Sequence, residues 1–135
     1  MKDRLKLQLV HDDSFFNWAF SSTHPTQGRR YAHTLAVLRD LAAASVIELN
    51  ELPAPIAETE DLQSVHTDEY IAEVVEQYHS SHWDGARADL AAIAQRFFGG
   101  SLSMFDALHS GKPVLVANLA GAKHHAQADH DSGFC

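Results

Sequence analysis

The chain has 135 residues, enough for one modest domain and too few for two separately folded ones. Its 10 Lys and Arg against 18 Asp and Glu give a net charge of −8, so the surface repels phosphate backbones and anionic lipids. We therefore expect a folded domain that binds neither nucleic acid nor membranes, since 45% of its residues are hydrophobic and only 21% are charged.

The first half of the chain alternates strands with a helix. Residues 5–10 alternate apolar and polar side chains, which predicts a strand with one buried face. From 31 to 42 apolar residues recur at helical spacing, which predicts a helix. The β-branched run 46–49 predicts a second strand. Pro53 and Pro55 follow it and predict a rigid loop.

The second half contains two predicted helices and one strand. Thr67 is typical of an N-cap before a helix whose apolar stripe extends to Tyr78. A longer helix is predicted over 88–108, where Gly99-Gly100 indicates close packing against another element. The apolar run 114–117 predicts a strand covered on both faces.

Strands that alternate with helices predict a three-layer α/β sandwich with a mostly parallel sheet. We expect a single domain over residues 1–135, in which 118–135 is a histidine-rich terminal loop without periodicity. Cys135 is the only cysteine and excludes an intramolecular disulfide. No apolar run is long enough for a signal-peptide core or a membrane span, so we expect a cytoplasmic protein.

Four short motifs resemble, in the same order, those of histone deacetylases and bacterial acetoin-utilisation proteins. The most specific is Gly121-Ala122-Lys123-His124-His125-Ala126, followed after a short gap by Ser132-Gly133-Phe134-Cys135. It resembles that family's Gly-Gly-x-His-His-Ala loop and Ala-Ser-Gly-Phe-Cys segment. The earlier motifs are His24-Pro25 with Arg30, the stretch 62–70 and Gly99-Gly100. The resemblance covers nearly the whole chain and implies the arginase and deacetylase fold, cut short.

The resemblance assigns roles to the terminal loop. His124 and His125 match the paired active-site histidines, which act as general base and as proton shuttle or electrostatic stabiliser. Gly133 and Phe134 match residues that line the tunnel for the acyl-lysine side chain. The loop departs from the family pattern at Lys123, where an apolar or aromatic residue is usual. A lysine there disfavours protonated histidine through like-charge repulsion.

Two more substrate-binding residues follow from the resemblance. Arg30 matches an arginine below the catalytic centre. Asp84, fifteen residues before Gly99, matches the rim aspartate that holds the substrate backbone, although the family's neighbouring proline is missing here.

The metal ligands of that family have no counterpart in this sequence. The family holds zinc with an Asp-x-His pair and a later Asp, and neither Asp-x-His nor His-Glu-x-x-His occurs in this chain. Zinc lowers the pKa of bound water from about 15.7 to about 7, which is roughly 12 kcal/mol of activation. A histidine base supplies roughly 3 to 5 kcal/mol. We expect no tightly bound zinc and no activity from this chain alone.

Three classes of function therefore stay open. The chain is the N-terminal part of a deacetylase-like amidohydrolase for acyl-lysine or acylpolyamine amides, or a non-catalytic binding module that self-associates. The third class is metal binding by the loop histidines His124, His125 and His130. Uncovered strand and helix faces predict a homo-oligomer or pairing with a complementing C-terminal half.

Other histidines and aromatic residues have structural interpretations. We expect His66 to be a hydrogen-bonding residue, and His79 and His82 to cap a helix end, where positive charge is favourable. Phe97, Phe98 and Phe105 are predicted to be core residues.

Overall fold

The structure is a computed structural model. It describes residues 4–19, 21–25, 27–112, 114–121, 123 and 125–133. Two predicted site residues, His124 and Phe134, lie outside the described residues.

Three strands form a parallel sheet in the order β2-β1-β3. They are β1 (Leu5–Val10), β2 (Ile47–Leu52) and β3 (Leu115–Asn118). The central strand is the best buried, since Leu9 and Val10 are almost fully covered. The predicted parallel α/β sheet is confirmed. The carboxyl ends of all three strands meet at one edge.

Helices flank the sheet and fill the connections. Two short 3₁₀ helices (Asp13–Asn17 and Gly28–Tyr31) precede the first α-helix, α1 (Ala32–Ala43). The α-helices that follow are α2 (Thr59–Leu62), α3 (Asp68–Ile71) and α4 (Ala88–His109). Helix α3 continues as a π-helix (Ala72–Glu76). No described helix is both long and apolar enough to cross a bilayer.

The helix after Thr67 begins as predicted and ends earlier than predicted. The Thr67 hydroxyl accepts a hydrogen bond from the Tyr70 backbone N–H at 3.3 Å, which is the expected N-cap. Tyr78 has φ 59° and lies beyond the helix, which turns into a π-helix and ends at Glu76. The predicted apolar stripe therefore stops before Tyr78.

Helix α4 packs against the sheet and contributes Leu90, Ile93 and Phe97 to the larger core cluster. One buried cluster joins it to the first strand and the loop after it, and consists of Val10, Phe15, Trp18, Ala54, Leu90, Ile93 and Phe97. A smaller cluster of Ala57, Leu62 and Ile71 packs beside it against Val75 and Phe98. The two clusters place α4 between the sheet and the α3 region.

Two burial predictions are wrong for the same reason. Leu115 at the start of β3 is 52% exposed, so this edge strand is not covered on both faces. Phe105 is also 52% exposed and is not a core residue. All buried residues of α4 lie between Leu90 and Gly100, so the last turns of α4, like β3, are only partly covered within the described chain.

Candidate functional site

The candidate site lies at the edge where the parallel strands end. The chain leaves β1 into His11, and leaves β3 into residues 119–133, which we call the terminal loop. The described part of this loop contains no helix or strand. Parallel α/β sheets commonly place ligands at this edge, beyond the carboxyl ends of the strands.

The terminal loop is fastened to the segment before α3. The Thr67 backbone N–H donates to the Ala128 carbonyl oxygen at 2.9 Å, and His66 Nδ1 donates to the Gln127 carbonyl oxygen at 3.0 Å. The predicted structural role of His66 is confirmed. These two bonds hold the middle of the loop against the start of α3.

A second attachment is centred on the carboxylate of Asp131, whose side chain is only 10% exposed. It accepts hydrogen bonds from Ser81 Oγ at 2.8 Å, from His82 Nδ1 at 2.8 Å and from Ser80 Oγ. Ser80 is itself buried. His82 therefore binds the terminal loop and does not cap a helix, which corrects the sequence prediction.

These hydrogen bonds set the charge state of Asp131. Burial alone would raise the pKa of its carboxyl, but the hydrogen bonds from Ser80, His82 and Ser81 outweigh it and hold the pKa below its ordinary value. Asp131 is therefore ionised in the folded chain at neutral pH, and the charged form is the one that holds the two loops together.

Replacement of Asp131 by alanine should lower the free energy of unfolding by about 1–3 kcal/mol at pH 7, because three donors lose a charged acceptor and one of them is buried. Because the folded-state pKa is depressed, this contribution is complete above the unfolded pKa of about 3.9 and is lost as pH falls through the folded value. Urea denaturation of the wild type and the Asp131→Ala variant should therefore differ at pH 7 and converge below pH 4.

Asp129→Ala is the matched control, because Asp129 is an exposed carboxylate in the same loop and pairs with its sequence neighbour His130. This variant should unfold like the wild type. Equal stability of Asp131→Ala and Asp129→Ala at pH 7 would contradict the attachment.

Two of the predicted site residues meet directly. A Cβ built on Gly133 would lie 3.2 Å from Nδ1 of His125, so the imidazole packs against the glycine backbone. Gly133 also has φ 62°, a conformation that side chains other than glycine rarely adopt. A larger residue at this position would therefore be strained in its backbone and would press on the ring.

Arg30 and Lys123 both line a cavity of about 220 Å³ whose walls include Trp18 and Phe97. The Lys123 ammonium lies over these two rings, 4.7 Å from the Trp18 centroid and 4.2 Å from that of Phe97. Cation–π contacts of this kind stabilise a positive charge beside aromatic rings.

A larger cavity of about 330 Å³ lies between α4, the α3 region and the terminal loop. Its walls are mostly apolar. Lys123 and Asp131 line it as a basic and an acidic residue, and the histidines His66 and His82 also line it. Lys123, Trp18 and Phe97 border both cavities.

Asp84 is not brought to these groups by any direct bond. It is exposed in the loop before α4 and makes no hydrogen bond or ion pair with the rest of the described chain. The same loop reaches the terminal loop through Ser80, Ser81 and His82. Its predicted role at a substrate rim stays a prediction.

The described residues do not fit a zinc ion. Nowhere in the described ranges do three His, Cys, Asp or Glu side chains come together as a set that could hold a metal. His130, one of the candidate ligands, instead places Nδ1 2.6 Å from the carboxylate of Asp129. A structural zinc site needs four ligands and a catalytic one needs three and an open position.

Comparison with known proteins identifies the family. A sequence profile of the histone deacetylase domain matches residues 24–135, which is most of the chain. The chain belongs to the histone deacetylase domain family. It is 29% identical to the acetoin utilization protein AcuC of Bacillus subtilis, over 93% of this chain and 35% of that protein. It is 26% identical to the histone deacetylase clr6 of Schizosaccharomyces pombe, over 96% of this chain and 35% of that protein.

The fold agrees with this membership. The crystal structure of the HDA15 HD domain matches with a TM-score of 0.72 and 23% identity, over 97% of this chain and 40% of that one. The fold is therefore that of a histone deacetylase domain, as expected. The chain spans about a third of the length of the curated relatives that it matches.

Sequence reasoning missed the attachment centred on Asp131. A signal was present, because Asp131 stands where the family's Ala-Ser-Gly-Phe-Cys segment begins with alanine. A charged residue in place of a small apolar one indicates a partner. That partner, the Ser80–His82 segment, is 49 to 51 residues away in sequence.

Proposed function

We propose that this chain supplies the histidine-bearing part of a zinc-dependent cytoplasmic deacylase that acts on acyl-lysine or acylpolyamine amides, and that it does not turn over substrate by itself. Family membership and the order of the motifs support the reaction class. The observation that carries the proposal is the packing of the His125 imidazole against Gly133, because it joins the two halves of the family's loop motif into one local structure.

In this proposal His125 moves a proton. An imidazole can accept and return a proton near neutral pH, and a positioned histidine contributes about 10² to 10⁴ in rate. Gly133 restricts the imidazole ring from one side. The hydrogen bond from His66 to the terminal loop and the hydrogen bond from His82 to Asp131 restrict the backbone that carries His125. Such positioning is needed for proton transfer at a fixed distance.

The metal must come with donors from outside the described residues, because no suitable donor set exists among them. The test is an assay of acetyl-lysine peptide hydrolysis with added zinc. The chain alone should show no hydrolysis of the peptide. The chain together with a polypeptide made from the part of Bacillus subtilis AcuC that it does not match should show chelator-sensitive turnover.

A second candidate function is a self-associating binding module. Three large apolar side chains on the last turns of α4 and on the edge strand β3 are about half exposed: Phe105 (52%), Leu108 (48%) and Leu115 (52%). An edge strand also presents unpaired backbone groups to a partner. We propose that a second copy of the chain covers this face.

Sedimentation of the chain over a range of concentrations should show a dimer or larger species. Leu115→Lys should shift the population towards monomer, because it places a charge in the apolar interface. Val37→Lys is the control, since Val37 is 42% exposed on α1, which contacts β2 at the opposite side of the sheet. A monomer at all concentrations would remove this candidate.

A further inference from the structure

The larger cavity, between α4, the α3 region and the terminal loop, has a wall rich in aromatic rings. Trp18, Tyr70, Trp83, Phe97 and Phe98 all line it. Trp18 meets Trp83 edge to face, with ring centroids 6.3 Å apart, and meets Phe97 in the same way at 5.1 Å. Aromatic rings in such contacts attract one another by more than the burial of their area accounts for. The wall therefore favours a ligand that is itself an aromatic ring.

The two full charges that line the cavity already have partners. The Asp131 carboxylate accepts hydrogen bonds from the Ser80–His82 segment. The Lys123 ammonium lies over two of the aromatic rings and has further partners besides them. A charge brought into an apolar space is costly unless it is paired there. Because neither Asp131 nor Lys123 is unengaged, the cavity favours a neutral ligand.

The hydroxyl of Tyr70 has no hydrogen-bond partner among the described residues. Tyr70 lies on α3 and is half-buried. Burial, together with the negative charges of Asp131 and Glu73, raises its pKa to about 12, so the hydroxyl keeps its proton at neutral pH. A protonated hydroxyl can both donate and accept a hydrogen bond. A ligand that brings a hydroxyl to Tyr70 satisfies this group.

We propose that this cavity binds a neutral phenol, with its ring against the aromatic wall and its hydroxyl hydrogen-bonded to the hydroxyl of Tyr70. Aliphatic side chains of the wall, among them Ile71 and Val75, contact the substituents of the ring. The cavity volume of about 330 Å³ lies within the range of cavities that bind small molecules. Neither His125 nor Gly133 lines this cavity, so the proposal is independent of the proposed reaction.

Tryptophan fluorescence provides a direct test, because the chain has two tryptophans and both line this cavity. The full chain is titrated at pH 7 with 4-ethylphenol and with 4-ethyltoluene, in which a methyl group replaces the hydroxyl. We expect a saturable change in emission with both. Tyr70→Phe should weaken the binding of 4-ethylphenol about fivefold and leave that of 4-ethyltoluene unchanged, because phenylalanine keeps the ring and lacks only the hydroxyl.

Tyr78→Phe is the matched control. It removes the same hydroxyl from an exposed tyrosine that does not line this cavity, and it should change neither affinity. On the wild-type chain, 4-ethylbenzoate and 4-ethylbenzylamine carry a negative and a positive charge on a similar ring, and both should bind more weakly than 4-ethylphenol. Far-UV circular dichroism checks that both variants are folded.

Three results would overturn the proposal. Tighter binding of either charged probe than of 4-ethylphenol would show that the cavity selects a charge. In folded Tyr70→Phe, equal changes for 4-ethylphenol and 4-ethyltoluene, or no change for either, would show that the hydroxyl takes no part in recognition. A wild-type chain without a saturable response to 4-ethylphenol would show that the cavity binds no phenol. The first and third results need no variant.

Discussion

The chain alone should give no zinc-stimulated hydrolysis of an acetyl-lysine peptide, whereas the complemented assembly should give turnover that a chelator abolishes. The size of the effect follows from the nucleophile. Activation of water by a metal is worth about 12 kcal/mol, and a histidine base supplies only about 3 to 5 kcal/mol of it. No group of side chains among the described residues could hold a metal ion. His125 alone therefore cannot supply the several orders of magnitude in rate that the metal would contribute.

Within the assembly, His125→Ala should reduce kcat by about 10² to 10⁴, the usual contribution of a proton-transfer group. His33→Ala is the matched control, because His33 is an exposed histidine on α1, away from the terminal loop, and should leave kcat unchanged. Zinc-dependent turnover by the chain alone would contradict the proposed division of the site. Full activity of His125→Ala in the assembly would contradict the role of the imidazole.

Gly99→Ala should cost about 3 kcal/mol or more of unfolding free energy, a large share of the stability of a small domain. A Cβ at Gly99 would lie 2.0 Å from the Pro55 carbonyl oxygen, and a backbone group cannot move aside as a side-chain end can. The better helix propensity of alanine returns only about 1 kcal/mol. The expected loss therefore comes from forcing α4 away from the loop after β2.

The neighbouring glycine provides a graded comparison. A Cβ at Gly100 would meet the Val10 side chain at 2.8 Å and the Ala54 Cβ at 3.3 Å, so Gly100→Ala should cost less than Gly99→Ala. Asp106→Ala, an exposed change on the same helix, should leave stability unchanged or slightly raise it. Urea denaturation of the three variants tests this order. Gly99→Ala as stable as Asp106→Ala would show that the close approach does not constrain α4.

The contact between Gly99 and Pro55 is part of a set of contacts that hold α4 against the loop after β2. Beside Gly99, Arg96 Nη1 donates to the Ala54 carbonyl oxygen at 2.7 Å, and Gln95 Nε2 donates to the Ala57 carbonyl oxygen at 3.1 Å. These bonds satisfy backbone groups of a proline-containing loop that has no regular structure. The predicted close packing at Gly99-Gly100 is confirmed.

Local features were readable from the sequence because their causes lie within a few residues. Alternation over 5–10 predicts β1, the Thr67 hydroxyl caps the turn that follows it, and helical spacing predicts α1 and α4 within one or two residues of their observed ends. The family motif likewise predicted that His125 and Gly133 belong to one site, and the two residues are in contact.

Burial at the edge of the sheet was not readable in this way. An apolar run such as 114–117 indicates that a strand can be covered, but cover depends on which elements come to lie beside it. Here Leu115 and Phe105 are half exposed because the buried part of α4 ends at Gly100. Hydrophobic periodicity predicts which face of an element a residue lies on, but it does not predict whether another element covers that face.

The amino-acid sequence by itself determined the α/β class and the family, because periodicity, capping and short motifs depend on neighbours in the chain. The tertiary structure alone decided that Asp131 holds Ser80–His82 and that Lys123 lies on Trp18 and Phe97. Those contacts join segments tens of residues apart, and which segments meet follows from the packing of α4 against the sheet. Charge pairing across that distance has no periodic signature in sequence.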